Sequence, residues 1–154
     1  MNIESPYPTN ELESQSKRIP PQNLEAEQSV IGSLLLNDSG FGIVVEILKP
    51  GDFYTKAHQI IFETLLDLFQ KNEVHDLITV TNALKDNNQL DSIGGAAYLA
   101  TLTSIVPVTA NVASYAKIIR QKAILRNLIT VNSDIANRCY EEQGDIDLLV
   151  DEAE

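Results

Sequence analysis

The stretch from residue 111 to residue 143 restricts the fold more than any other. No Gly or Pro interrupts it before Gly144, so nothing within it stops a helix. Val112, Tyr115, Ile118, Ile119, Leu125, Leu128, Ile129, Ile135 and Cys139 recur at spacings of three, four and seven. That is the period of a helix with one apolar stripe. Asn111 is placed to cap it, because its side-chain oxygen can accept from an unpaired amide of the first turn. Some 30 helical residues span roughly 45 Å, against roughly 30 Å for a small domain. The helix must therefore protrude, and its stripe needs a partner beyond a small head.

The whole chain has 154 residues, of which 44% are apolar and 6% aromatic, with no Trp. One domain with a mainly aliphatic core follows from that size and composition. A single Cys excludes an internal disulfide framework. No run approaches the roughly 18 apolar residues of a membrane span, and the N-terminus lacks a basic-then-apolar signal pattern. A soluble, cytoplasmic protein without a membrane partner is the expectation. The net charge of −11 repels a phosphate backbone, so general nucleic-acid binding by this chain alone is disfavoured. Lys117, Arg120, Lys122, Arg126 and Arg138 place five of the eleven basic residues on the long helix. They form either a solvated face opposite the stripe or a surface for an acidic partner, such as a neighbouring subunit's head or nearby DNA.

Three regions follow: a disordered arm over residues 1–18, a helical head over 19–110, and a helical hairpin over 111–154. The arm is polar and contains Pro6 and Pro8. Ile19-Pro20-Pro21-Gln22 then runs extended, since a residue before Pro is pushed out of helical geometry. The head should hold helices over about 24–36 with Asn23 as cap, over 41–48, over 56–71 with Thr55 as cap, over 80–87 with Thr79 as cap, and over 96–104 after Gly94-Gly95. Residues 51–54 form a loop or a tight turn, and residues 72–76 a polar connection. The long helix occupies 111–143. Asp145 caps the start of a second arm over 145–154, where Ile146, Leu148, Leu149 and Val150 stand among acids. That second arm stops short, as in a piece of something larger. The fold class is all-α.

No catalytic chemistry is legible. A phosphate-binding loop needs Gly-x4-Gly-Lys-Ser/Thr, and Gly94-Gly95 has neither Lys nor Ser/Thr in register. Gly40-Phe41-Gly42 lacks the third Gly and the strand of a dinucleotide fingerprint. No Cys/His cluster has zinc spacing. His58 lies on a helix and reads as a packed or hydrogen-bonded residue, because no second ligand has matching spacing. Cys139 lacks the His or basic cradle of a nucleophile. Carboxylates are many, but no pair stands out for acid–base work.

Three stretches carry a family signature. The first is Ile19-Pro20-Pro21-Gln22-Asn23-Leu24-Glu25-Ala26-Glu27-Gln28-Ser29-Val30-Ile31-Gly32. The second is Asp52-Phe53-Tyr54 with Ala57-His58 and Ile61-Phe62. The third joins Gly94-Gly95, Tyr98-Leu99, Val106-Pro107, Ala110-Asn111-Val112, Tyr115-Ala116 and Leu125-Arg126. In order and spacing, over about residues 18–154, they resemble the N-terminal domain of the bacterial replicative hexameric DNA helicases of the DnaB type. The resemblance implies an all-helical head with a protruding hairpin, pairing of two such domains through their hairpins, and three dimers forming a collar on a hexameric ring. It implies a linker to a RecA-like domain that uses ATP and magnesium to unwind DNA. That domain is absent from these residues, so no cofactor is expected in them and the ring alone would meet DNA. It also implies docking of the helicase-binding domain of primase and, in some members, of a loading protein. One departure is Asn82, where the family often carries a Glu three residues after Thr79.

On that resemblance, Ile118, Leu125, Leu128, Ile129 and Ile135 are the candidate hairpin and dimer surface, with the first third of the stripe in the core and the distal part between subunits. Tyr98, Ile129 and Ile135 are candidates for the primase contact or for the dimer surface supporting it. Tyr98 also fits an ordinary buried ring with a bonded hydroxyl. The rival function is a stand-alone helical regulator that binds DNA or protein; it would need a basic recognition helix and salt-sensitive DNA affinity. A small hydrolase lacks a nucleophile with a positioned base.

Overall fold

A computed structural model describes residues 18–107, 110–141 and 146–154. Its helices are α1 (Leu24–Leu36), α2 (Phe41–Ile47), α3 (Lys56–Gln70), α4 (Leu77–Asp86), α5 (Gly95–Ser104), α6 (Val112–Tyr140) and α7 (Ile146–Ala153). Short 3₁₀ turns occupy Asp38–Gly40, Pro50–Asp52 and Asp91–Ile93, and the described residues contain no strand. The all-α expectation holds. The expected arm over 1–18 falls outside the described residues except for Arg18, and so does the proposed cap Asp145.

Local chemistry explains most boundaries. The Asn23 side chain accepts from the Ala26 amide at 3.0 Å, Thr55 from the His58 amide at 3.3 Å, and Asn111 from the Ser114 amide at 3.1 Å. Each thereby satisfies a first-turn donor that has no partner inside the helix. The end of α3 is closed by Asn72 in the left-handed region, φ 55°. The Glu73 amide reaches back to the Leu68 carbonyl at 2.9 Å and the Asn72 amide to Phe69 at 3.0 Å. The same paired bonds close α4 around Asn88, φ 57°. This is the Schellman stop with Asn in the position usually held by Gly.

Two expectations are corrected. The fourth helix begins at Leu77, not Val80, and its cap is Asp76, which accepts from the Thr79 amide at 2.9 Å. Thr79 is therefore inside the first turn, and Asn82 is not part of a capping box. Asp76 and Thr79 are both good caps by composition, and Leu77 supplies the apolar start that decides between them. The hydrogen bond from the Thr79 amide holds the Asp76 carboxyl below its ordinary range. Nor is the 72–76 connection wholly polar. His75 is buried, its ring 4.8 Å from Phe41 and 6.2 Å from Phe69, with Nδ1 3.3 Å from the Leu34 carbonyl and Nε2 3.0 Å from Asp38.

The head is built around α1, which packs on α3, α5 and α6. Val30, Ile31 and Leu34 meet Ile61, Phe62 and Leu65 of α3 in one buried cluster with Leu99, Leu102 and Ile119. Gly32 lets α1 and α5 approach closely: a methyl group there would run into the Leu102 carbonyl and the Val106 side chain. The second helix is apolar but only partly covered, since Phe41 and Val44 are buried while Ile43 is exposed. Among the described residues no single helix is long and apolar enough to cross a membrane.

Candidate functional site

The long helix α6 has 29 residues and so extends roughly 43 Å. Its expected end at residue 143 moves back to Tyr140, with Glu141 as C-cap; residues 142–145 lie outside the described ones. The helix leaves the head part-way along. Ala116 and Ile119 are buried, the latter at 1% exposure, and Val112, Tyr115 and Ile118 pack against the core. From there outward the same stripe faces solvent. Leu125 is 45% exposed, Leu128 51% and Ile129 53%. Ile124 and Val131 widen this exposed apolar surface.

Two arginines fasten the middle of α6 to the head. Arg120 pairs with Asp52 at 2.8 Å. The other oxygen of Asp52 accepts from the Lys49 amide at 2.8 Å. Arg126 donates to the Pro21 carbonyl at 2.8 Å and the Asp52 carbonyl at 2.6 Å, with its guanidinium 5.6 Å from the centre of the Tyr54 ring. The planar fork of Arg suits two carbonyls and a ring face at once. A groove of about 800 Å³ runs beside it, lined by Ile19, Pro20, Pro21, Tyr54 and Ile129. Further out, Arg138 bonds Glu152 of α7. Ile135 and Leu149 are half-buried there, whereas Ile146, Leu148 and Val150 are exposed. The expected reach of basic residues to an acidic partner therefore narrows. Arg120, Arg126 and Arg138 have acceptors in their own chain, while Lys117 and Lys122 form no ion pair among the described residues.

Inside the head lies a second polar cluster. His58 is 1% exposed, and its Nδ1 stands 2.7 Å from Glu27 Oε1. Its Nε2 is 2.7 Å from the Tyr98 hydroxyl, with the two ring planes within 11° of parallel. The second Glu27 oxygen accepts from the Tyr54 amide at 2.8 Å. A buried carboxylate with several donors is satisfied rather than stranded. His58 is thus a packed, hydrogen-bonded residue, as its isolation in the sequence implies.

The six residues singled out in the sequence occupy four settings. Ile118 packs on the core, Leu125, Leu128 and Ile129 lie on the open distal stripe, Ile135 is half-buried on the part of α6 near α7, and Tyr98 sits half-buried on α5 with its hydroxyl bonded. Sequence reasoning missed Asp52 and Glu27 as structural acceptors. Glu25 and Glu27 both stand in the first turn of α1, where the helix dipole favours an acid, so position in the helix does not single out Glu27. Nothing at helical spacing signals a partner 31 residues away.

Residues 19–121 match the family described as the DnaB-like helicase N-terminal domain. The chain belongs to this family. It is 45% identical over 139 residues to the replicative DNA helicase DnaB of Geobacillus stearothermophilus, which covers 90% of this chain and 31% of that protein. It is 42% identical over 137 residues to the replicative DNA helicase DnaC of Bacillus subtilis, covering 89% and 30%. The crystal structure of the N-terminal domain of DnaB helicase from Mycobacterium tuberculosis superposes with a TM-score of 0.82 at 43% identity, covering 88% of this chain and 95% of that one. A DnaB-like replicative helicase whose structure was described with its interactions with primase superposes with a TM-score of 0.69 at 26% identity, covering 85% and 31%. The chain thus spans about a third of the length of these two replicative helicases.

Proposed function

We propose that this chain is the assembly and docking domain of a replicative DNA helicase. Two copies pair through the distal part of α6 and through α7, and three pairs form a collar on a hexameric ring. The collar receives the helicase-binding domain of primase and, where one exists, a loading protein. The ring beyond this domain uses ATP and magnesium to unwind duplex DNA at the fork, and it alone meets DNA; the domain itself is non-catalytic, and the protein works in the cytoplasm. The sequence has no Gly-x4-Gly-Lys-Ser/Thr loop, and the described residues hold no cluster of three His, Cys, Asp or Glu side chains placed for a metal ion.

One observation carries this reading. Leu125, Leu128 and Ile129 stay about half exposed on a helix that has already left its own core, and a contiguous apolar patch of this kind marks an interaction surface. The relative described with primase supports the docking partner. A stand-alone DNA-binding regulator is less well supported, because three of the five basic residues of the long helix are bonded within the chain.

The test is binding of the isolated helicase-binding domain of primase, measured by calorimetry. Wild type should bind, while Ile129→Asp and Ile135→Asp should abolish the heat of binding and leave the helical circular dichroism intact. Undiminished binding by both variants would remove the distal helix from the docking surface.

A further inference from the structure

The buried cluster of the head and the fastening of the long helix are two ends of one connected line. The Tyr98 hydroxyl touches His58 Nε2, and His58 Nδ1 touches Glu27 Oε1, both at 2.7 Å. Glu27 Oε2 accepts from the Tyr54 amide at 2.8 Å. The Tyr54 ring lies under the guanidinium of Arg126. A carboxylate oxygen only accepts, so Nδ1–H of His58 faces Glu27, while Nε2 and the Tyr98 hydroxyl bond each other in whichever direction the ring's protonation sets. Every link is therefore a donor matched to an acceptor or a cation matched to a ring face. Oriented, low-dielectric networks of this kind hold their members in one arrangement.

Position gives the line its consequence. Beyond Ile119 no residue of α6 is fully buried. Past Arg120, the hydrogen bonds between α6 and the head among the described residues are the two made by Arg126, to the carbonyls of Pro21 and Asp52. Both carbonyls belong to segments that flank the Tyr54 contact. We infer that the Tyr98–His58–Glu27–Tyr54 line is a positioning device: it sets the seat of Arg126 and thereby the angle at which the distal half of α6 leaves the head. Tyr98 is half-buried on the face of α5, so a change at that hydroxyl is transmitted to the hairpin. This coupling lies within one chain and does not depend on which partner the hairpin meets. The rival account is simple anchoring, in which Ala116 and Ile119 in the core fix the helix axis by themselves. A double-mutant cycle measures such coupling directly and separates the two accounts.

The experiment uses Cys139, which is exposed on the distal part of α6, as one spin-label site. The second is placed by Glu63→Cys on the exposed side of α3. Pulsed electron resonance then reads the distance between head and hairpin, with labelled chain diluted in excess unlabelled Cys139→Ser chain so that only distances within one chain are seen. Wild type should give one narrow distance. Tyr98→Phe, which removes only the hydroxyl, and Arg126→Lys, which loses the two-pronged fork, should each replace it by a broader or shifted distribution. The double variant should be no broader than Arg126→Lys alone. A purely structural hydrogen bond would lower the melting temperature of Tyr98→Phe and leave the distance unchanged. An unchanged distance in Tyr98→Phe, or broadening that simply adds in the double variant, overturns the inference.

Discussion

The two halves of α6 carry the same apolar stripe and meet opposite fates. Over the first half, Ala116 and Ile119 are buried and Ile118 packs beside them. Over the second, Leu125, Leu128 and Ile129 continue the spacing into solvent. The residue types hardly differ, so composition does not separate the halves. What separates them is reach: α1 covers the first turns, and the head ends before the helix does. A hydrophobic period thus reports which face is to be covered and is silent about what covers it. The first half belongs to folding; the second, on the function proposed above, is left for assembly.

That contrast can be broken by substitution. The largest effect belongs to the first half. Ile119→Ala removes a fully buried side chain and should cost about 2–5 kcal/mol of stability, the range for emptying a packed site, read by denaturant unfolding. If the cost is below about 1 kcal/mol, the first half is not core as described, since even trimming a buried Ile to Val costs about that much. Next comes Gly32→Ala, which drives a methyl group into the Leu102 carbonyl and Val106. Overpacking of this kind should cost about 1–3 kcal/mol; an unchanged denaturant midpoint would show that α1 and α5 separate freely.

A smaller effect is pH-dependent. The Asp76 carboxyl is held below its ordinary range, chiefly by the Thr79 amide. A group whose folded value is depressed stabilises above its unfolded value, and that contribution is lost as pH falls through the folded value. Asp76→Asn keeps the cap oxygen and removes the charge. Its stability should fall less on acidification than that of wild type. Equal acid sensitivity in both would mean that other carboxylates carry the loss.

The smallest effect belongs to the second half. Leu128→Ala trims a side chain that is 51% exposed and should change the stability of the monomer by less than about 0.5 kcal/mol, while weakening self-association. Loss of monomer stability comparable to that of Ile119→Ala would erase the distinction between the halves.

The sequence was most readable where structure is local. The Asn23, Thr55 and Asn111 caps satisfy amides three residues away, so each could be found in its own window. The fourth helix was misjudged by three residues because Asp76 and Thr79 are rival caps and Leu77-Ile78-Thr79-Val80 mixes helical and β-branched signals. The stops at Asn72 and Asn88 depend on left-handed backbone that Asn tolerates but does not announce. The exposure of the distal stripe of the candidate site was readable from the length of its helix alone. The fastening behind it was not. Arg126 meets Pro21 and Asp52, 105 and 74 residues away in the chain, and His58 meets Tyr98 at a separation of 40. Such pairings are created by the packing of the head, and no periodic pattern records them.

Self-association in solution tests the central claim most directly. Sedimentation equilibrium of the 154-residue chain should show a concentration-dependent dimer, and Ile129→Asp should sediment as a monomer with unchanged helical content. Wild type that remains a monomer at the highest concentrations, or an Ile129→Asp variant that dimerises as wild type does, would contradict the assignment of the distal half of α6 to assembly.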